Sequence, residues 1–211
     1  MKKPIRLIVF ALVAVLAAAA GMTLARSLQG TPASTAADVR ALVLEAPRTL
    51  PDFLLTDHQQ QPFGPARFEG RWTLLFFGFT HCPDVCPTTL NTLAGLAQSL
   101  QDLPLASQPT ITMISVDPMR DTAEKLSAYV PFFNPDFVGV TGEMGEVLTL
   151  TRGLGVAFAY TPGANGEAYT VEHTASVFLI DPAGRLAAIF STPHGVAELD
   201  REYRQIVSTR G

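Results

Sequence analysis

The segment "RWTLLFFGF" (Arg71 to Phe79) is apolar almost without interruption and rich in aromatics. That is the pattern of a strand buried on both faces rather than one with a wet side. "TITMISVD" and the shorter "FVGVTG" repeat it. Between the first two, "TTLNTLAGLAQSL" sets Leu90, Leu93, Leu96, Ala97 and Leu100 at helical spacing. "RDTAEKLSAYV" predicts a second helix with Asp121 and Glu124 in its first turn, where anions suit the positive end of the helix dipole. "GEMGEVLTLTRGLGV" predicts a third helix closed by glycines, and "VAELDREYRQIVS" a final amphipathic one. "ASVFLIDPAGRLAAIF" predicts a hairpin around a Pro-Ala-Gly turn. An earlier short hairpin is expected where "DFLLTD" and "QPFG" flank the turn-like "HQQQ".

The resulting order, β(β)-β-α-β-α-β-α-β-β-α, predicts an α/β fold. Strands alternating with helices imply a largely parallel central sheet flanked by helices, and the late hairpin adds an antiparallel edge, so the sheet is mixed. In such sheets sites collect at the carboxyl ends of strands, where helices begin.

The N-terminus follows a different pattern. "MKKPIR" is basic, and from Leu7 to Ala25 no charge occurs, a run of about 19 residues that is long enough to cross a bilayer as a helix. The basic flank precedes the run, which places the N-terminus in the cytoplasm and everything after Arg26 outside. A cleaved signal peptide is the competing reading, with "AAAAG" as the processing site. The length of the apolar run favours a retained anchor, and both readings export the domain. We therefore divide the chain into an anchor or uncleaved signal at 1–26, a flexible linker at 27–46, and a folded domain at 47–211. The "SLQGTPASTAADVR" part of the linker is small, polar and aperiodic.

Composition removes some function classes. The formal net charge is −4 and no like-charged block follows the first few residues, which excludes a nucleic-acid surface built on a basic stripe. No internal repeat is visible.

The chain has two cysteines, Cys82 and Cys86, in "FFGFTHCPDVCPTTL", directly after the first buried strand. Cys86 precedes Pro87, and proline favours the first helical position while disfavouring a helical residue before it. This predicts Cys86 as the helix N-cap with Cys82 in the preceding turn, and a thiolate stabilised by the helix N-terminus. Such a pair suits thiol exchange or metal binding. A plain disulfide staple is the third option, but so short a loop removes little chain entropy. An exported domain can hold a disulfide.

At these residues a resemblance becomes specific. "GFTHCPDVCPTTL", "ISVDPMRDTAEKLSAYV" and "VEHTASVFLIDPAGRL" resemble the Sco/SenC family of membrane-tethered, thioredoxin-like copper proteins that serve cytochrome c oxidase assembly. The likeness runs from about Pro51 to the C-terminus and includes the anchor. It implies a thioredoxin-like fold and copper bound by Cys82, Cys86 and His173. The residue before the histidine, usually aspartate in the family, is Glu172 here, which keeps the charge. Two thiolates and an imidazole suit Cu(I), and the nitrogen donor also allows Cu(II). Asp84, Asp117 and Glu172 are expected to surround the ligands, while turn and helix-cap roles equally account for Asp117 and Asp121. Arg120 belongs to the same shared "VDPMRDT" stretch. His81 is assigned to the surroundings or the surface, and His58 and His194 to solvated turns.

The resemblance further implies a metallochaperone delivering copper to the dinuclear copper site of cytochrome c oxidase, with the oxidase subunit carrying that site as partner. Another periplasmic copper chaperone or a thiol reductase would be a further partner. The expected location is the inner membrane, single-pass, with the soluble domain on the periplasmic side. The alternative is a membrane-tethered thiol-disulfide oxidoreductase that uses Cys82 and Cys86 as a redox couple to reduce the cysteines of that site. Against ordinary thiol exchange stand three residues between the cysteines, where thioredoxin-like oxidoreductases have two. Ala175 also stands where those enzymes carry a proline before a "FLID"-like strand.

Overall fold

The computed structural model describes residues 41–163 and 169–210. The expected anchor at 1–26 and most of the linker lie outside the described residues. Among the described residues no helix is long and apolar enough to cross a membrane.

Ten strands alternate with four α-helices among the described residues: β1 (Leu42–Thr49), β2 (Leu55–Asp57), β3 (Pro62–Phe63), β4 (Thr73–Gly78), α1 (Val85–Ser99), β5 (Thr110–Ser115), α2 (Ala123–Phe133), β6 (Val138–Thr141), α3 (Met144–Leu154), β7 (Phe158–Thr161), β8 (Thr170–His173), β9 (Val177–Ile180), β10 (Arg185–Phe190) and α4 (Val196–Arg210). The main sheet has the order β1-β10-β9-β4-β5-β6-β2-β3, and β7 with β8 forms a separate two-stranded sheet. The centre, β4-β5-β6, is parallel, and β9 joins β4 antiparallel. This is the mixed sheet of a thioredoxin-like fold, as the pattern of runs predicts.

Each residue of β4 is buried, which accounts for its unbroken apolar run. Leu90, Leu93, Leu96 and Leu100 are fully buried along one side of α1 and its extension; Ala97, expected beside them, is half-buried at the edge. Thr122 caps α2, its hydroxyl accepting from the Lys125 N–H at 3.2 Å. The cap is therefore Thr122 and not Asp121, which turns inward. Helix α3 ends at Gly155, whose φ of 77° is the left-handed conformation that favours glycine.

Two parts of the fold differ from the sequence reading. Strand β1 begins at Leu42, so the end of the expected linker is an edge strand, paired with β10 through an irregular register between Val43 and Arg48. Its residues are mostly exposed and include Pro47, so it carries no apolar alternation and has the proline that edge strands tolerate. The β7–β8 hairpin was also unforeseen, because three of the four β7 residues are exposed.

Shortening a buried side chain on α1 tests the core. Leu96→Ala is expected to cost about 2–5 kcal/mol, the usual range for a fully buried leucine, read as a lower urea midpoint at unchanged slope.

Candidate metal centre

Strand β4 ends at Gly78 against the start of α1. The turn between them closes with the Cys82 N–H donating to the Phe79 carbonyl at 3.3 Å. Asp84 is the N-cap of α1; its carbonyl accepts from the Thr88 N–H at 3.1 Å and its carboxylate from the Thr88 hydroxyl at 3.4 Å. The expected cap at Cys86 is thus corrected: Cys86 lies inside the first turn. Pro87 does not prevent this, because first-turn N–H groups have no intrahelical partner to lose. The inward placement buries Cys86 completely, while Cys82 stays partly open. Both cysteines are free thiols, and the Cys86 N–H points at the Cys82 Sγ at 3.3 Å.

His173 is the last residue of β8, opposite Phe158 of β7. Its Nε2 lies 3.3 Å from the Cys86 Sγ, and the donor atoms of Cys82, Cys86 and His173 all lie within 4.8 Å of one another. Its Nδ1 sits 3.0 Å from the Thr174 carbonyl. That oxygen can only accept, so the proton is placed on Nδ1 and the Nε2 lone pair is left facing the sulfurs. The rings of Phe76 and Phe79 meet the imidazole edge-on at 6.0 and 5.9 Å, walling off the inner side.

Burial controls the electrostatics. It pushes the Cys86 thiol far above its ordinary range, the contact with Cys82 adds to this, and a backbone bond to Phe79 opposes it. The thiolate expected from the helix N-terminus is therefore corrected: removal from water outweighs the helix partial charge. Burial also lowers His173, partly offset by its bond to Thr174. Two neutral groups thus face each other beside a half-open thiol. A soft cation entering from the Cys82 side would supply the charge that makes thiolates favourable.

The residues expected around the site have separate fates. Asp84 caps α1 and is exposed. Glu172 is exposed on β8 beside His173. Asp117 is fully buried; its carboxylate pairs with Arg120 and accepts from the Tyr169 hydroxyl at 2.7 Å. His81 is exposed, 3.2 Å from the Lys125 ammonium. His58 does lie in a turn, but neither it nor His194 is simply solvated: both are half-buried, the His58 Nδ1 accepts from the Gly139 N–H at 3.1 Å, and the His194 Nε2 donates to the Ala175 carbonyl at 2.9 Å.

Three contributors escaped the sequence reading. Thr80 orders the approach to Cys82: its N–H and hydroxyl donate to the Asp121 carboxylate at 2.9 and 2.5 Å. Tyr169 holds Asp117. Gly78 makes room for the sulfur, since a Cβ there would lie 3.0 Å from the Cys86 Sγ and 2.8 Å from Phe76. A glycine ending an apolar strand is a legible sign of close approach; the partners of Thr80 and Tyr169 carry no such local sign.

Fold and site together define a class: a thioredoxin-like domain presenting two cysteines and one histidine to a soft metal. The family model described as SCO1/SenC matches residues 43–208, and the chain belongs to that family. It is 34% identical over 160 residues to the mitochondrial SCO2 homolog of Mus musculus, covering 74% of this chain and 62% of that protein. Among solved structures it is similar to Arabidopsis thaliana ScoI with copper bound, at 29% identity and TM-score 0.71, covering 76% of this chain and 98% of the other. Bradyrhizobium japonicum ScoI with copper bound has 31% identity and TM-score 0.66, covering 75% and 99%.

Gly78→Ala is expected to cost about 1–3 kcal/mol through overpacking and to displace the Cys86 sulfur. Urea unfolding and a changed rate of thiol labelling would report the two effects. A pH prediction follows from His194, which burial holds below its ordinary range, partly offset by the Ala175 carbonyl. The unfolded chain then binds the proton more readily, so stability is complete above the ordinary histidine value of about 6.5 and falls as pH drops below it. Replacing His194 with glutamine should flatten that acid slope in urea midpoints measured from pH 7.5 to 5.

Proposed function

We propose that this protein is a copper metallochaperone that carries copper on Cys82, Cys86 and His173 and delivers it to the dinuclear copper site of cytochrome c oxidase during assembly. The observation that carries the reading is the convergence of two sulfurs and one imidazole nitrogen within 4.8 Å, in a family whose solved members include copper-bound structures. The chain binds copper as these relatives do. Two thiolates and an imidazole form a three-donor site for Cu(I), with the nitrogen also accommodating Cu(II). Three donors leave room for an incoming thiol from a recipient, so transfer proceeds by exchange of sulfurs at the metal. The buried Cys86 and the half-buried His173 hold the inner side of the ion, and the half-open Cys82 is the donor a recipient reaches first. The 1–26 segment serves as a single-pass anchor that keeps the domain on the periplasmic face of the inner membrane, where the recipient subunit and a donor of copper or electrons meet it.

A second reading is reduction of the recipient's cysteines, with Cys82 and Cys86 oxidised to a disulfide as two electrons and two protons pass to the recipient's disulfide. Its support is the pair of free, adjacent thiols. The buried Cys86 is a poor attacking group because its thiol resists ionisation, which leaves Cys82 as the nucleophile.

The deciding experiment is a Cu(I) titration of the reduced full-length protein against a competing chelator. Wild type is expected to take up one copper. Cys82→Ser, Cys86→Ser and His173→Ala should each weaken it by more than the roughly 10–100-fold that loss of an outer partner costs a metal site. Retained affinity in His173→Ala would reject the three-donor chaperone site, and the reduction potential of the cysteine pair would then test the second reading.

A further inference from the structure

The histidine and the cysteines arrive on parts of the chain that share no sheet. His173 stands on the β7–β8 hairpin, which forms no ladder with the main sheet. One short segment, Ser115 to Asp121, reaches both parts. At one end, Asp121 receives the Thr80 N–H and hydroxyl and the Ser115 hydroxyl, the last at 2.8 Å, and so fixes the turn that leads into Cys82. At the other end, Asp117 accepts from the Tyr169 hydroxyl at 2.7 Å, and Arg120 donates to the Tyr169 carbonyl at 3.0 Å. The Arg120 guanidinium lies 3.8 Å from the centre of the Tyr169 ring while ion-paired with Asp117. The Tyr160 hydroxyl adds a bond to the Val116 carbonyl at 2.6 Å.

We propose that Asp117, Arg120 and Tyr169 form a clamp that positions the His173 hairpin against the cysteine turn and thereby sets whether the site offers three donors or two. The inference rests on the copper reading above and deepens it. The three residues are bonded to one another and act through His173. Tyr169 immediately precedes β8 and His173 ends it, so a fixed Tyr169 fixes the line along which the imidazole approaches Cys86. At the other end of the hairpin, the Thr174 N–H donates to the Ala157 carbonyl at 2.9 Å and the Ala157 N–H to the Thr174 hydroxyl at 3.1 Å. These close the hairpin on itself but do not bind it to the sheet. With the clamp open, the Tyr160 bond and the buried Val171 still hold the hairpin to the domain, but the His173 end of β8 is free to shift, and the imidazole can withdraw while both cysteines remain in place, held by β4, α1 and Asp121. Release of the clamp therefore converts a retaining three-donor site into a two-sulfur site from which copper passes on more readily.

The test uses Tyr169→Phe, which removes one hydroxyl and little volume, in the full-length protein. Cu(I) affinity should fall roughly ten- to hundredfold, the loss expected for one hydrogen bond to a charged group. In a His173→Ala background the same change should alter affinity less than about twofold, because residues coupled only through the imidazole lose their effect once it is gone. Hydrogen exchange of the metal-free protein should show faster exchange across β7 and β8, since a two-stranded hairpin without outside support is marginally stable in water, and unchanged exchange in β4. Unchanged affinity in Tyr169→Phe, or an equal loss with and without His173, would overturn the clamp. If wild type itself takes up no Cu(I), the copper reading fails, and the exchange measurement alone decides whether the clamp holds the hairpin.

Discussion

The carboxylate of Asp121 is the constraint on which the site depends. It is fully buried and is satisfied by three donors: the Thr80 N–H, the Thr80 hydroxyl and the Ser115 hydroxyl. The backbone carbonyl of the same residue accepts from the Thr141 hydroxyl at 2.7 Å. One residue thus ties together the carboxyl ends of β4, β5 and β6. A buried carboxylate deprived of its partners costs several kcal/mol, so the cluster forms as a whole or is strongly disfavoured. The turn that presents Cys82 is held to the sheet by a polar network, whereas Cys86 is held by apolar packing.

Those two modes of support give the cysteines different chemistry. Cys86, fully buried in the core beside Gly78, keeps its proton because burial disfavours the thiolate. Facing it, burial keeps the His173 imidazole neutral and its Nδ1 bond turns Nε2 inward. Cys86 and His173 therefore bring no charge of their own to the site, yet the three donors stand close together. Binding a soft cation exchanges protons for metal, so occupancy couples to pH by the ordinary competition between the two. Cys82 and His173 are the half-open edge of a centre whose inner donor, Cys86, is fully buried.

Much of this was legible beforehand where the pattern is local. The unbroken apolar run of β4, the leucine spacing of α1 and the Pro-Ala-Gly hairpin each follow from nearest-neighbour periodicity. The positions of Cys82, Cys86 and His173 followed from motif resemblance. The N-cap was misplaced because the rule about residues before proline competes with the packing gained by sinking Cys86 into the core. The thiolate was misjudged for a related reason: the helix dipole is visible in sequence, and the extent of burial is not. Strands β1, β7 and β8 went unseen because edge strands and exposed hairpins carry little alternation. Asp117 and Asp121 were noticed, but as caps and turns, since nothing local says that one reaches 52 residues forward to Tyr169 and the other 41 residues back to Thr80.

By itself the sequence determined the α/β class, the family, and the three residue types a soft metal needs, because apolar periodicity and a short cysteine motif are properties of neighbours along the chain. Only the tertiary structure decided that Cys86 is buried and protonated, that the imidazole turns its free nitrogen toward sulfur, and that one loop braces both halves of the site. Those depend on which distant segments exclude water from one another, and desolvation is a property of the assembled fold rather than of any segment within it.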